Sequence, residues 1–388
     1  MITPKTLGTR LLSLFVPLLL VSCTHSEASR GASEQSADTT IRNEYRLLFV
    51  GDIMIHGPQI KAARRPKLKA GYDFSASFDS ISPLLRSADL CIGNLETTLA
   101  GKPYSGYPMF SSPDALAVAL KEAGFDILTT ANNHSADRGR RGIVRTLDLL
   151  DSLGIAHTGS YRKADDREQQ TPLVVELGGS IKLGILAYTY GTNGMPIPKP
   201  TQIDLIDTLV IAQDLERAQR LGVDYQIVQI HWGEEYRRDP SSEQTELARW
   251  LHRQGVDAVI GSHPHVVQRS EWLQEEAQPT FVLYSLGNFI SNQIKPEGTR
   301  AGLMLELRLV RQGSGQVEAF PSYHFVFVNK RTPEGQAVYR LVPMPLSSDV
   351  PMPPLPKDEQ ADWRAALRYY QSLPLVGQRT QTLARDHE

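Results

Sequence analysis

Apolar and polar positions fall into two rhythms along this chain. Short, β-rich apolar runs occur at 47–50, 90–92, 127–130, 226–230 and 258–260, and each reads as a buried strand. Between them, stretches at 78–87, 113–123, 140–153, 207–221 and 242–254 read as helices. Strands alternating with helices predict βαβ units and a layered α/β domain. Ser112-Pro113-Asp114 predicts an N-cap with proline in the first turn, and Gly124, Gly154, Gly222 and Gly255 stand where glycines end helices. Leu-Val-Val-Glu-Leu, Gly178-Gly179 and Ile-Lys-Leu-Gly-Ile-Leu predict a β-hairpin with a tight turn between 172 and 190. Residues 280–342 are mainly strands (281–284, 303–310, 323–328, 339–342), and a Pro-rich stretch at 343–356 precedes a last helix at 360–372. No period of 20–50 residues repeats.

The amino terminus has a different pattern. Lys5 and Arg10 precede an apolar stretch from 11 to 21, too short to span a bilayer core of about 30 Å, and that order is the one of a secretory signal. The stretch ends in Leu20-Val21-Ser22-Cys23, which resembles the lipobox of bacterial lipoproteins, where the cysteine becomes the acylated first residue; an unmodified cysteine near a simple cleavage site is the alternative. The expected product is an exported lipoprotein of the cell envelope, held to a membrane by its lipid. Residues 24–42 are rich in Ser, Ala, Glu and Thr and too poor in apolar side chains to order themselves. The expected organisation is a signal peptide (1–22), a flexible tether (23–43), one folded domain (44–330) and a carboxyl-terminal extension (331–388).

Composition adds limits. With 388 residues, 41% hydrophobic and 22% charged, the chain can bury a full core. A net charge of −2 without long like-charge blocks gives no sign of a nucleic-acid partner. Once Cys23 is committed to lipid, Cys91 is the remaining cysteine, so no internal disulfide is available and Cys91 reads as a small core residue.

Each of the five strand runs ends in a polar cluster: Gly51-Asp52, Asn94-Leu95-Glu96, Asn132-Asn133-His134, His231-Trp232-Gly233 and Ser262-His263-Pro264-His265. Ligands of open α/β sheets sit beyond the carboxyl ends of strands, so these side chains can converge on one crevice. Together they look like a dinuclear metal site. Asp52 is a hard oxygen ligand, and Gly51 lets the backbone approach a ligand closely. Glu96 can bridge two ions with its two oxygens, with Asn94 orienting it. Asn133 offers a neutral amide oxygen. His134 beside it suits a general acid, and Asp137 can accept its second ring N–H and fix the tautomer. His231, His263 and His265 supply imidazoles, the last two turned inward by Pro264 between them. Singly, each cluster has a plain alternative: Gly-Asp and Asn-Leu-Glu end strands as turns, Asn-Asn-His caps a helix, and lone histidines are usually structural. Three histidines concentrated in two strand-end clusters, beside Asp52, Glu96 and Asn133, favour the metal. Asn94 is also a candidate for the substrate cleft, Glu235, Tyr236 and Asn288 either line that cleft or buttress its loops, the Gly/Pro-rich loop 188–198 can edge it, and Trp232 reads as packing. Carboxylate, amide and imidazole ligands suit Mn, Fe or Zn. Neither a P-loop nor a His-Glu-x-x-His motif occurs.

Gly-Asp-Ile-Met, Gly-Asn-Leu-Glu, Thr-Ala-Asn-Asn-His-Ser-Ala-Asp-Arg-Gly, His-Trp-Gly-Glu-Glu-Tyr, Gly-Ser-His-Pro-His-Val-Val-Gln and Tyr-Ser-Leu-Gly-Asn-Phe follow one another here in an order and spacing that resembles the bacterial CapA family. These are capsule or poly-γ-glutamate synthesis proteins related to calcineurin-like metallophosphoesterases. The resemblance runs from about residue 45 to 328. It implies a four-layer α/β/β/α sandwich of the metallo-dependent phosphatase type, with the metal site at one edge of the paired sheets. It assigns one ion to Asp52 and His265 and a second to Asn133, His231 and His263, with Glu96 bridging and His134 as the acid. The chain departs from the wider phosphoesterase pattern in two places. Met54 stands two residues after Asp52, where a histidine is usual, the nearest being His56, and the bridging carboxylate is glutamate.

Two functions follow as expectations. One is a metal-dependent hydrolase or transferase of the envelope, acting on a phosphoester or a γ-glutamyl/acyl centre in capsule or exopolymer production. The other is a non-catalytic accessory subunit that grips an anionic polymer through the metal cleft, beside the membrane partners of a polymer-synthesis system.

Overall fold

The first strand shows how the layers are built. In β1 (Glu44–Ile53), Tyr45, Leu47 and Phe49 enter one apolar cluster and Leu48 and Val50 another, because successive side chains of a strand point to opposite faces. The same division runs through β7 (Ile181–Thr189), β9 (Tyr225–His231) and β10 (Ala258–Ser262). Their Leu183, Ile185, Ile227 and Ile260 join the cluster of Leu47, whereas Leu186, Tyr188, Val228 and Val259 form a third. The shared cluster is the seam between two facing sheets. Helices α1 (Gly57–Ala63), α3 (Ser82–Ser87) and α4 (Ala115–Ala123) cover the outer face of one sheet, and α7 (Thr208–Arg220) and α8 (Ser242–Arg253) that of the other. The layering is α/β/β/α, as expected. Burying such a Leu, Ile or Phe stabilises the fold by roughly 1.5–3 kcal/mol each.

The computed structural model describes residues 42–274, 278–331, 338–345, 352 and 355–379. The expected signal peptide and Cys23 lie outside them, as does the tether up to residue 41. Among the described residues, the first sheet has the order β16 (Val338–Met344), β15 (Val317–Arg331), β14 (Ala301–Arg311), β1, β2 (Leu90–Asn94), β3 (Ile127–Thr129) and β4 (Ala156–Thr158), with β13 (Asn288–Ile290) against β1 and β17 (Gln378–Arg379) against β15. The second runs β11 (Ser270–Leu273), β12 (Thr280–Leu283), β10, β9, β7 and β6 (Leu173–Leu177). Helix α9 (Lys357–Ser372) adds Trp363, Ala366 and Tyr370 to the inter-sheet core, with the Tyr370 ring 4.4 Å from that of Phe325. Among the described residues no helix is long and apolar enough to cross a membrane.

A repeated device fixes the start of the parallel strands. Asp89, Asp126, Asp224 and Asp257 each directly precede a strand, and each brackets one residue of the neighbouring strand. The backbone N–H donates to the carbonyl of Arg46, Cys91, Lys182 or Gln226, at 2.8, 3.0, 2.8 and 3.1 Å. The carboxylate accepts the N–H of that same residue, at 2.7, 2.9, 2.8 and 2.7 Å. Register is thereby set at one end of each sheet, and the other ends align. Asp52 pairs with Asn94 and Asn288, and His231 pairs with Ser262 and Thr189. The carboxyl ends of β1, β2, β9 and β10 therefore meet across the seam.

Local differences from expectation have local causes. The helix expected at 78–87 is two pieces, α2 (Ser75–Phe78) and α3. Pro83 has no N–H to give to the preceding turn, and the Ser82 hydroxyl takes the Phe78 carbonyl at 2.9 Å. Ser112 does not cap α4, whose N-cap is Asp114; its hydroxyl lies 2.8 Å from that of Thr97 instead. The Gly178-Gly179 hairpin, the positive φ of Gly124, Gly154, Gly222 and Gly255, and the burial of Cys91 agree with the sequence reading.

Candidate metal centre

Seven of the expected site residues meet at these strand ends. Asp52 is fully buried. Its Oδ1 accepts from Asn94 Nδ2 at 2.8 Å, and its Oδ2 lies 3.0 Å from His265 Nδ1 and accepts the His263 N–H at 3.3 Å. Gly51 allows a close approach, but to backbone and not to a ligand: a Cβ there would lie 1.9 Å from the Gly287 carbonyl oxygen, which accepts the Asp52 N–H at 3.0 Å. Asn94 orients Asp52 and not Glu96, and its own amide oxygen accepts from Asn132 Nδ2 at 3.2 Å. His231 sits between Ser262, whose hydroxyl is 2.9 Å from Nδ1, and Asn133, whose amide oxygen is 3.0 Å from Nε2.

Both Glu96 oxygens and His263 Nδ1 are buried without a hydrogen-bond partner. His231 Nε2 and His265 Nε2 stand 3.8 and 3.9 Å from Glu96 Oε1, too far for hydrogen bonds and suited to ligands on either side of a cation. Burial, then the charge of Asp52, pushes the Glu96 carboxyl well above its usual range. Burial, then neighbouring imidazoles, holds His231 well below its usual value and brings His263 down to about 3. These imidazoles are neutral at pH 7, the state in which they bind metal. Their donor atoms group as Glu96, His263 and His265, and as Asp52, Glu96 and His231, each set within 4.8 Å. Glu96 belongs to both, as a bridge would. Contacts outside these two groups join Asp52 to His265, at 3.0 Å, and His231 to Asn133, at 3.0 Å, the pairs that the resemblance places on the same ion. A buried carboxylate with orphaned oxygens among neutral imidazoles fits a divalent cation.

His134 lies in the turn after β3, with Nδ1 2.8 Å from Asp137 Oδ2; that oxygen also accepts the Phe110 N–H at 2.7 Å. The Phe110 ring packs edge-on against His134 at 4.6 Å and against His56 at 5.2 Å. His56 begins α1 and takes the Asn292 N–H on Nδ1 at 3.3 Å; burial lowers it to about 4. Met54, two residues after Asp52, is buried in the fold. Among the cleft candidates, Glu235 and Tyr236 are exposed, the Tyr236 ring 6.0 Å from that of His265. Asn288 is fully buried; its Nδ2 donates to Gln293 Oε1 and the Thr299 carbonyl at 2.8 and 2.9 Å and so holds a loop, while its Oδ1 is buried without a hydrogen-bond partner. Trp232 packs on Tyr284 and donates to its carbonyl at 3.0 Å.

Sequence reasoning passed over Asn132, Ser262, Tyr190 and Asn193 as individuals. Asn193 accepts from Asn133 Nδ2 at 3.3 Å, and the Tyr190 ring lies 4.6 Å from that of His263. The first two sit inside the quoted clusters; the others sit in the loop expected to edge the cleft, where position alone was the signal.

Residues 46–293 match the family model of the bacterial capsule synthesis protein PGA_cap. Similar proteins include the PGA biosynthesis protein CapA of Bacillus subtilis, 29% identical over 280 residues that make up 70% of each chain. The capsule biosynthesis protein CapA of Bacillus anthracis is 27% identical over 258 residues, 64% of this chain and 60% of that one. Among solved structures, the NAD nucleotidase of Haemophilus influenzae aligns with a TM-score of 0.48 at 15% identity, covering 88% of this chain and 65% of that one.

Proposed function

The chain belongs to the bacterial capsule synthesis PGA_cap family, and we propose that it serves capsule or poly-γ-glutamate exopolymer production as a metal-dependent hydrolase or transferase at the cell envelope. The observation that carries this reading is Glu96. Its two buried oxygens have no donor, while three imidazoles and Asp52 surround them. Divalent ions held by Asp52, Glu96, Asn133, His231, His263 and His265 would supply Lewis-acid activation of water and of a phosphoester or γ-glutamyl/acyl centre.

The chain's own residues do the rest. Asp137 fixes the His134 ring through Nδ1 and leaves Nε2 to carry a proton to the leaving group. Asn94 and Asn132 hold Asp52 and the Leu95 carbonyl, so the carboxylate arrives preoriented. Deep burial of His134 and Glu96 excludes bulk water from the reacting atoms. Acylation at Cys23 would keep the site at a membrane surface, near its polymer and the partners that make it.

The accessory reading has one observation in its favour. Both Asp52 oxygens are already engaged by Asn94, His263 and His265, and Met54 stands two residues after Asp52, where the wider phosphoesterase pattern has a histidine. A thinly held ion grips an anionic polymer without turning it over. Turnover of a phosphodiester or a γ-glutamyl anilide by protein purified without chelators, lost on chelation and restored by Mn, Fe or Zn, supports the enzyme. Tight polymer binding with no turnover on either substrate supports the accessory role.

A further inference from the structure

Among the described residues, four non-glycines have φ in the left-handed region: Asn193 (51°), Tyr236 (67°), His263 (97°) and His265 (59°). Such conformations are strained for side chains other than glycine and persist where their surroundings impose them, often at ligand clamps. All four lie at the metal centre. Two carry its imidazoles; the other two lie on the loops that follow β7 and β9 and supply no expected ligand.

Each of those loops lays a tyrosine against the histidines. The Tyr190 ring lies 4.6 Å from that of His263 and is nearly parallel, at 10°, to His231 at 6.3 Å. On the other side Tyr236 stands 6.0 Å from His265, and His263 and His265 are 5.8 Å apart. Tyr190, His263, His265 and Tyr236 thus form a continuous row of rings. The tyrosines are held in place: the N–H of Tyr190 donates to the His231 carbonyl at 3.0 Å and that of Tyr236 to the Pro264 carbonyl at 2.8 Å. The Tyr190 hydroxyl donates to Asn193 Oδ1, and Gln293 Nε2 donates to the Tyr236 oxygen, both at 3.3 Å. Even so, Tyr190 is 47% and Tyr236 37% exposed. Aromatic surface is therefore preorganised and left open to solvent beside a buried polar site, the pattern of a ligand platform rather than of core packing.

The charges nearby say what kind of ligand fits. The exposed carboxylate of Glu235 adjoins Tyr236. The next two residues are cations already engaged: Arg237 with Glu234 at 2.8 Å, and Arg238 with Glu297 at 3.6 Å while 4.4 Å above the Tyr369 ring. A bare polyanion would meet a carboxylate where it needs a cation. A hydroxylated ring suits the place, since its C–H face can lie on a tyrosine while its hydroxyls donate to Glu235 and Asn193.

We infer that Tyr190 and Tyr236, with Asn193 and Glu235, form a saccharide subsite next to the metal centre, so that the substrate of the proposed reaction bears sugar rings. The inference rests on that reading for its reaction but not for its binding. The test is calorimetric titration of the mature chain with oligomers of glucose and of N-acetylglucosamine and with a poly-γ-glutamate oligomer, with metal content measured on every sample. At least one neutral oligosaccharide should bind, more tightly than the polyglutamate. Tyr190→Ala and Tyr236→Gly should each weaken it by about tenfold or more, and Tyr236→Phe should restore it, with metal content equal throughout. Glycine suits a φ of 67°, so Tyr236→Gly removes the ring without adding strain. No saccharide binding by the wild type, equal binding by the variants, or tighter binding of polyglutamate would each overturn the subsite. Loss of metal or turnover with saccharide binding intact would count against the reaction and leave the subsite standing.

Discussion

His134 and Asp137 form a buried pair, Nδ1 to Oδ2 at 2.8 Å, inside a turn closed by the Asp137 N–H on the His134 carbonyl at 3.2 Å. The chain itself, through a three-residue spacing, fixes the direction of the imidazole, while Phe110 supplies both the second hydrogen bond to Asp137 and the ring against His134. The histidine lies beside the proposed ligand Asn133 and outside the metal-ligand groupings.

His134→Asn is therefore expected to keep its metal and to lose turnover by about 10²–10⁴-fold, the contribution of a positioned acid. Asp137→Asn should be milder, roughly 10–100-fold. Capsule or exopolymer yield in cells carrying wild type, His134→Asn and His263→Ala separates the two roles. If His134→Asn behaves as wild type while His263→Ala fails, the enzyme reading is wrong and the accessory one stands.

Much of this was legible in the sequence, for physical reasons. Continuous apolar runs such as 47–50 mark strands buried on both faces, and Leu47 and Leu48 do enter different cores. Polar residues just beyond those runs had to lie at one edge, and Asp52, Asn94, His231 and Ser262 do. Which neighbour each group would meet across the fold was harder to read. Gly51 looked like room for a ligand and is room for Gly287, and Asn94 looked like a partner of Glu96 and serves Asp52. Tyr190 gave little signal, because nothing local distinguishes a tyrosine placed on a histidine from one placed on solvent.

Lipid attachment at Cys23 is expected from the Leu-Val-Ser-Cys end of the apolar segment. Acyl chains contribute about 0.8 kcal/mol per buried CH₂, so a multiply acylated residue stays at the membrane. Cys23→Ser should yield a soluble or uncleaved protein. A wild-type protein that fractionates as freely soluble, with no acyl mass on its amino terminus, rules the anchor out.

Asp257 should make stability depend on pH. Burial raises its carboxyl to about 7, against about 3.9 in an unfolded chain. Between those values the folded state keeps a proton that the unfolded state has released, so this residue's contribution falls as pH rises from about 4 to about 7, by on the order of 1–4 kcal/mol. Asp257→Asn can still accept the Gln226 N–H but has no charge to bury. Urea midpoints at intervals from pH 4.5 to 7.5 should show the variant gaining on wild type with rising pH; parallel curves would show that the carboxyl ionises normally in the folded protein.

The metal centre itself is tested most directly by elemental analysis of protein purified without chelators. Wild type should carry a divalent metal, bound stoichiometrically, and His231→Ala and His263→Ala should be empty. His157→Ala should match wild type, because that ring pairs with Asp151 at 3.0 Å on β4, away from the strand-end cluster. Equal metal in wild type and His263→Ala, or none in a folded wild type offered Mn, Fe and Zn, would contradict the account.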